Sequence, residues 1–428
     1  MEAISSELNY FEAPVIQTAV QEEYDQEISP IATIQDGAPI EFMVKGVRDL
    51  YLDLNNTKLE VCLKICETNG TALVAGDRIG VDNLMLHSMF SNVDMEVGQK
   101  QVTDPNNLYP YRSIFETILN YPREVLDTRM ICEGWTKDTA AQFDVTDPTG
   151  ANTGLGTREQ NYRASRAVRF IGRRPLDLFD QEKLLPGGVD MKLRFIPHKA
   201  PFVILNAAAT AEVPQKNLKV SISSAKLYIR TKKVSPSLIM AHEQMLQTGT
   251  YKIPFTKVQM KTLTIPQGVT NFQYDNLYLG NLPDRIALAL VHDEAVTGSY
   301  TRNPFKFDHY GLTHLCLKVG GEQIPKIPYQ PDFTTRDYLR EYMTVLSALG
   351  FDMGPNCWDI TPTEWANGYN IYVFKITPGP LGIVKSLSRA GNIRLEIKFR
   401  EATTHNITAI LLSEDRDILE IDKNFHGI

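Results

Sequence analysis

Along much of this chain, apolar and polar residues alternate one for one. In KLEVCLKIC, Leu59, Val61, Leu63 and Ile65 alternate with Glu60, Cys62, Lys64 and Cys66. In VDMKLRF, Val189, Met191, Leu193 and Phe195 alternate with Asp190, Lys192 and Arg194. NIRLEIKFR repeats the pattern with Ile393, Leu395, Ile397 and Phe399. A period of two puts one face of a strand on a core and the other toward water or a partner. The alternation predicts antiparallel sheets, because strands of a buried parallel sheet read as continuous apolar runs. LKVSISSAKLYIRTKK, HLCLKVGGEQI and GYNIYVFKIT add further strands.

Helical periodicity is confined to three places. YPYRSIFETILNYP carries Pro110 early, with Ile114, Phe115, Ile118 and Leu119 on one side. FTTRDYLREYMTVLSALG predicts a helix over 335–349, with a stripe of Tyr338, Leu339, Tyr342, Met343, Leu346 and Leu349, ended by Gly350. The third lies near the centre of the chain. There Ser235 can cap and Pro236 fits the first turn. Leu238, Ile239, Met245 and Leu246 share a face, and Gly249 suits the stop.

The order of these elements repeats. Strands, a helix near 110–121, a long loop and more strands fill the first half; strands, a helix, a loop and strands fill the second. The pattern predicts an acidic N-terminal arm over 1–38, a first β domain over 39–234, a linker helix over 235–249 and a second β domain over 250–428. The linker helix is expected to pack its stripe across the junction. Residues 133–165 read as a long loop of the kind that is functional or mobile. Its Gly154 and Gly156 lack the third glycine and the Lys-Ser/Thr pair of a phosphate cradle.

Charge and composition narrow the reading. The net charge is −7 and the isoelectric point near 5.7, which argues against a general nucleic-acid coat. Glu2, Glu7, Glu12, Glu22, Glu23, Asp25, Glu27 and Asp36 precede the first basic residue, Lys45. That arm is expected to be either solvated or ordered against a neighbouring subunit. The five cysteines, Cys62, Cys66, Cys132, Cys316 and Cys357, are too sparse for a disulfide framework and read as free thiols. No signal peptide opens the chain and no apolar run is long enough for a membrane span. The sequence is therefore expected to be made inside a cell.

A search for chemistry gives no catalytic set. His242-Glu243 resembles the start of a zinc-protease helix, but Leu246 stands where the second histidine belongs. The remaining histidines are scattered, no Gly-x-Ser-x-Gly elbow occurs, and no cofactor or metal is expected. The basic residues cluster at REQNYRASRAVRFIGRR, with Arg158, Arg163, Arg166, Arg169, Arg173 and Arg174. Because the chain around them is not basic, subunit contact is favoured over nucleic acid, with the acidic arm as the opposite charge. Trp358 and Trp365 are candidate interface anchors, with burial in the core as the equal alternative.

Four segments carry a resemblance. They are GRRPLDLFDQEKLLPGGVDMKLRF at 172–195, SISSAKLYIRTKKVSPSLIMAHEQML at 221–246, NLYLGNLPDRIALALV at 276–291 and NPFKFDHYGL at 303–312. In order and spacing the chain resembles the major capsid protein of Polinton (Maverick) elements and adintoviruses. The resemblance implies an all-β double jelly-roll, two eight-stranded antiparallel β-sandwiches in tandem with a few short helices. It implies a structural subunit rather than an enzyme. Homotrimers would tile an icosahedral shell around a DNA genome, beside neighbouring trimers and penton or minor capsid proteins, in a virion assembled in the host cytoplasm or nucleus. Arg158, Arg163, Arg166, Arg169, Trp358 and Trp365 would then lie at contacts, and the acidic arm at the inner base. Two other readings remain open: a minor capsid or penton protein, and a two-domain β-sandwich enzyme acting on glycans.

Overall fold

The structure, a computed structural model, describes residues 17–74, 76–173, 175–206, 216–352, 357–377 and 390–427. The first half contributes β1 (Val20–Ile28), β2 (Ile40–Val44), β3 (Leu50–Glu67), β4 (Phe90–Val97), β5 (Lys100–Gln101), β6 (Val168–Gly172), β7 (Met191–Pro197) and β8 (Leu218–Val234). They form two four-stranded sheets, in the orders β1-β8-β3-β6 and β2-β7-β4-β5. The second half contributes β9 (Tyr251–Ile265), β10 (Asn271–Asn281), β11 (Arg285–His292), β12 (Leu312–Val319), β13 (Glu322–Tyr329), β14 (Ile371–Lys375), β15 (Ala390–Phe399) and β16 (Ile407–Ile421). Its sheets run β9-β16-β11-β14 and β10-β15-β12-β13. Each half therefore uses one strand order: first, eighth, third and sixth in one sheet, second, seventh, fourth and fifth in the other. That wiring is a jelly-roll, and the chain is a double jelly-roll.

The alternation marks the core faces. Leu59, Val61, Leu63 and Ile65 of β3, Met191, Leu193 and Phe195 of β7, and Ile393, Leu395, Ile397 and Phe399 of β15 are all buried. Two strands depart from it. RIALALVH in β11 is buried on both faces nearly throughout, as is IYVF in β14. A helix over Leu339–Leu349 lies on β14, so its second face has no need of polar residues.

The first strand corrects the expected arm. Val20–Ile28 is the edge strand of the first sandwich, paired antiparallel with β8 of the same chain, Tyr24 opposite Thr231. Its acids meet the basic residues of β8: Glu23 to Arg230 at 2.7 Å, Asp25 to Arg230 at 2.5 Å and Glu27 to Lys226 at 2.8 Å. Asp36 pairs with Lys219 at 2.8 Å. These charges are thus met within the first sandwich and not by the 158–174 arginines, and that sandwich begins before residue 39. Residues 1–16 lie outside the described residues.

Three helices fall close to their predicted places, α1 at Tyr109–Asn120, α3 at Pro236–Leu246 and α4 at Leu339–Leu349, whereas α2 (Thr153–Glu159), inside the expected loop, and α5 (Pro362–Ala366) were not predicted. α4 starts later than the stripe suggested, because a turn precedes it. There Asp332 Oδ1 accepts from the amides of Thr334 and Thr335, and the backbones of Asp332 and Asp337 bond to each other. Gly350, at φ +79°, ends it. The linker helix α3 does not seal the junction: Leu246 is its one buried residue, while Met240 and Met245 are 65% and 72% exposed.

The halves are joined instead by α1 and by residues 133–165. Tyr111 and Phe115 of α1 meet Phe305 and Phe307 at ring-centroid distances of 5.9 and 5.4 Å. The supposed loop is packed rather than free: Trp135, Phe143 and Leu155 are buried, and Asn152 caps α2 by accepting from Leu155 N. Ala141 N donates to Asn367 O at 2.7 Å. Gly368, at φ +112°, lies so close that a Cβ there would meet Phe143 at 2.2 Å. Only glycine fits both demands.

Candidate functional site

The arginine cluster divides. Arg158, on α2, is 4% exposed. Its Nε donates to Val81 O at 2.8 Å, Nη1 to Thr136 O at 2.6 Å and Nη2 to Asp138 Oδ1 at 2.7 Å. It is a core residue, and its expected place at a subunit contact is corrected. Arg163 pairs with Glu159 at 2.9 Å, Arg169 reaches Glu60 at 3.3 Å and Arg166 bonds to Asn161; these three side chains face solvent. Arg173 bonds to Asn55 and Asp180. Arg174 lies outside the described residues.

Neither tryptophan is an exposed anchor. Trp365 is 0% exposed and its Nε1 donates to Ile371 O at 2.9 Å. Trp358 is 8% exposed, and its Nε1 donates to Ile118 O at 2.7 Å, which ties the second half to the end of α1. Trp358 stacks on Tyr342 and Trp365 meets the same ring edge to face, among a cluster of aromatics. Their indole N–H groups are satisfied inside, so the buried alternative holds.

The titratable groups in the interior are arranged as braces. Arg112 lies between Glu116 at 2.8 Å and Asp177 at 2.7 Å. Burial, the larger effect, outweighs the arginine at Glu116 and pushes its carboxyl up to about 7. His87 Nε2 is 2.8 Å from Glu133 and its Nδ1 is 2.9 Å from Tyr109 Oη. Beside Arg158, Asp82 is 0% exposed, and among the described residues neither of its carboxyl oxygens has a hydrogen-bond partner. Burial holds it well above the ordinary 3.8, with Asp138 and Asp144 adding to the rise and Arg158 opposing it. The folded state therefore prefers the protonated acid. That contribution is complete below the unfolded value and is lost as pH climbs toward the raised one. We expect Asp82→Asn to flatten the fall in melting temperature as pH rises above the ordinary carboxyl value of 3.8. An unchanged slope would show that Asp82 does not titrate as its burial implies.

Cavities are modest. One of about 240 Å³ is lined by Met89, Pro197, His198, Ala200, Val220 and Ile222. Another of about 200 Å³ lies at the seam, between Asp144 of the first half and His292, Arg302, Asn303, Lys306 and His405 of the second. Asp144 there accepts from Lys306 at 3.0 Å and from Asn303 N at 3.0 Å, so its charge is spent on holding the halves together. All five cysteines are free thiols. One set of possible metal donors converges, His314, Cys316 and Glu396. Sequence reasoning passed over it, although His-Leu-Cys in a strand puts both donors on one face.

What the surface does offer is apolar area. Met240 and Met245 of α3, Leu339 and Met343 of α4, and Ile327 of β13 are each at least half exposed. Leu339 and Met343 are four apart and share one face of α4. Among the described residues no helix is long and apolar enough to cross a membrane.

No family model matches the chain. An uncharacterized protein of Caenorhabditis elegans is 23% identical over 422 residues, spanning 96% of this chain and 97% of the relative. Among solved structures, a chain of the Sputnik virophage superposes with a TM-score of 0.63 at 12% identity, covering 99% of this chain and 91% of that one. A chain of the PBCV-1 virus capsid gives 0.61 at 10% identity, with 98% of both chains covered. The mavirus major capsid protein gives 0.53 at 12% identity, with 100% and 93% covered. Over nearly its whole length the chain therefore shares the fold of these viral capsid structures.

Proposed function

We propose that this chain is a major capsid protein, a structural subunit whose homotrimers present six jelly-rolls as a pseudo-hexagonal tile of an icosahedral shell around a DNA genome. The observation that carries the reading is the repeated strand order, the same in both halves, in a chain that superposes over nearly its whole length on capsid subunits. A penton protein usually needs one such sandwich, and this chain has two.

The energetics agree. Each sandwich covers its own core, so the subunit is soluble before assembly, and closed sandwiches leave few long free edges. The half-exposed Met240, Met245, Ile327, Leu339 and Met343 then supply apolar surface for neighbours. Burial of such surface contributes about 25 cal/mol per Å², and shell symmetry repeats each contact many times. Arg163, Arg166 and Arg169, which face solvent, are the members of the arginine cluster left for contact with a neighbouring trimer or a penton protein. The sequence resemblance to Polinton elements and adintoviruses supports a shell of that kind, with the subunit in the virion.

Light scattering on the purified chain tests this directly. We expect a particle of three times the 48.3 kDa chain mass, with threefold symmetry in negative-stain images. A stable monomer with glycan-hydrolysing activity, or a pentamer, would replace this reading with the enzyme or the penton.

A further inference from the structure

On the solvent-facing side of the sheet β10-β15-β12-β13, three different metal-ligating side chains point at one another. His314 and Cys316 are two apart on β12, and the register places Cys316 opposite Glu396 of β15. The core side of the same strands carries Leu315, Leu317, Leu395 and Ile397. Cys316 Sγ is 3.5 Å from His314 Nε2 and 3.9 Å from Glu396 Oε2. All three donor atoms lie within 4.8 Å of one another.

These separations approach those of a tetrahedral metal site. Zinc bonds of about 2.3 Å to sulfur and 2.0–2.2 Å to nitrogen and oxygen put adjacent donors about 3.4–3.6 Å apart. The carboxylate is also already turned. Glu396 Oε1 accepts from Lys318 Nζ at 2.7 Å and pairs with Arg394 at 3.3 Å, which leaves Oε2 to face the sulfur. Such outer contacts orient a ligand before the ion arrives. Cys316 is 0% and Glu396 8% exposed, while His314 is half-buried, so the site is shielded except on its histidine side. Burial, the larger effect, pushes the Cys316 thiol up, with Lys318 and Lys398 working against the rise. In the absence of an ion the thiol has only weak partners, since S–H is a poor donor.

We propose that His314, Cys316 and Glu396 form a three-ligand zinc site with its fourth position open to water, clipping β12 to β15 on the outer wall of the second sandwich. Binding takes the neutral thiol to a zinc-bound thiolate and releases its proton to solvent, with no change of oxidation state. The mixed sulfur, nitrogen and oxygen set suits zinc, and excludes magnesium and calcium, which take oxygen donors. The inference does not depend on the capsid reading.

The test uses the full chain, reduced, stripped with chelator and titrated with Co²⁺ as a spectroscopic substitute. One equivalent is expected to bind, with a near-ultraviolet thiolate-to-cobalt absorption and the strong visible bands of a four-coordinate ion. Cys316→Ser should abolish the near-ultraviolet band, and Glu396→Gln and His314→Ala should each weaken binding by about tenfold or more. The exposed thiols are controlled for by the Cys132→Ser/Cys357→Ser variant, whose band should persist. Folded wild-type chain that takes up no Co²⁺, or a band that survives Cys316→Ser, would overturn the site. Glu396→Gln, which keeps shape and loses charge, decides the matter should Cys316→Ser fail to fold; unchanged affinity in that variant also overturns it.

Discussion

A chain that begins at Ser29 should be recovered as aggregate, not as a soluble subunit. It lacks β1, and β1 is the strand that covers β8. Without it the backbone groups of β8 from Leu227 to Val234 lose their ladder partners along one edge. β8 is a 17-residue strand, and an exposed edge of that length is a template for pairing with other chains. The apolar loss itself is small, because β1 is exposed along nearly its whole length. The ion pairs of Arg230, Lys226 and Lys233 are also partly exposed, and each contributes under about 1 kcal/mol. The ladder hydrogen bonds, at about 0.5–1.5 kcal/mol each, are the larger loss. Sedimentation and far-ultraviolet dichroism of the truncated chain, beside one that starts at Ala19 and keeps β1, measure the effect. Soluble Ser29 chain with the wild-type dichroism and sedimentation would show that β1 is dispensable.

That strand also marks where sequence reading stopped. VQEEYDQEI has no alternation, because an edge strand over solvent needs no apolar face. Its signal is long-range: an acidic run whose partner is the basic run KLYIRTKKV, some two hundred residues later. Charge counting saw the acids and looked for the nearest arginines instead. By contrast, β7, β15 and residues 58–66 of β3 were legible, since there alternate residues face the core, whereas Tyr51–Leu54 of β3 is buried on both faces and was not read. The three helices were legible too, but not what they touch. The stripe of α3 is real, yet Met240 and Met245 remain uncovered within the chain. An apolar stripe reports that burial is needed and does not say whether the same chain or another supplies it. The two tryptophans were undecidable for the same reason, until their N–H groups were seen to bond to Ile118 and Ile371. Of the candidate contact residues, only Arg163, Arg166 and Arg169 keep a face to solvent.

Arg158 is where the difference between a core and a surface arginine becomes measurable. Arg158→Ala should destabilise the fold by about 3–5 kcal/mol, the range found when one partner of a buried ion pair is removed. The substitution strands the carboxylate of Asp138, whose side chain is 1% exposed and still accepts from Asn152 Nδ2 at 2.9 Å. It also takes one donor from each of the carbonyls of Val81 and Thr136, the second of which keeps Asn83 Nδ2 at 2.7 Å. It removes the one cation that opposes the rise of Asp82, so that acid is driven further toward its protonated form. Arg158→Lys should not restore the loss, because a single ammonium cannot reach three acceptors set around a planar fork. Arg166→Ala, eight positions on and exposed, should shift stability by no more than about 0.5 kcal/mol. Urea unfolding followed by tryptophan fluorescence compares the three variants, with Trp135 reporting from the same buried segment. Should Arg158→Ala unfold at the wild-type midpoint, α2 is not braced by this fork, and residues 133–165 are held by their other contacts, among them buried Trp135, Phe143 and Leu155, the Ala141–Asn367 hydrogen bond and the Asp144–Lys306 pair.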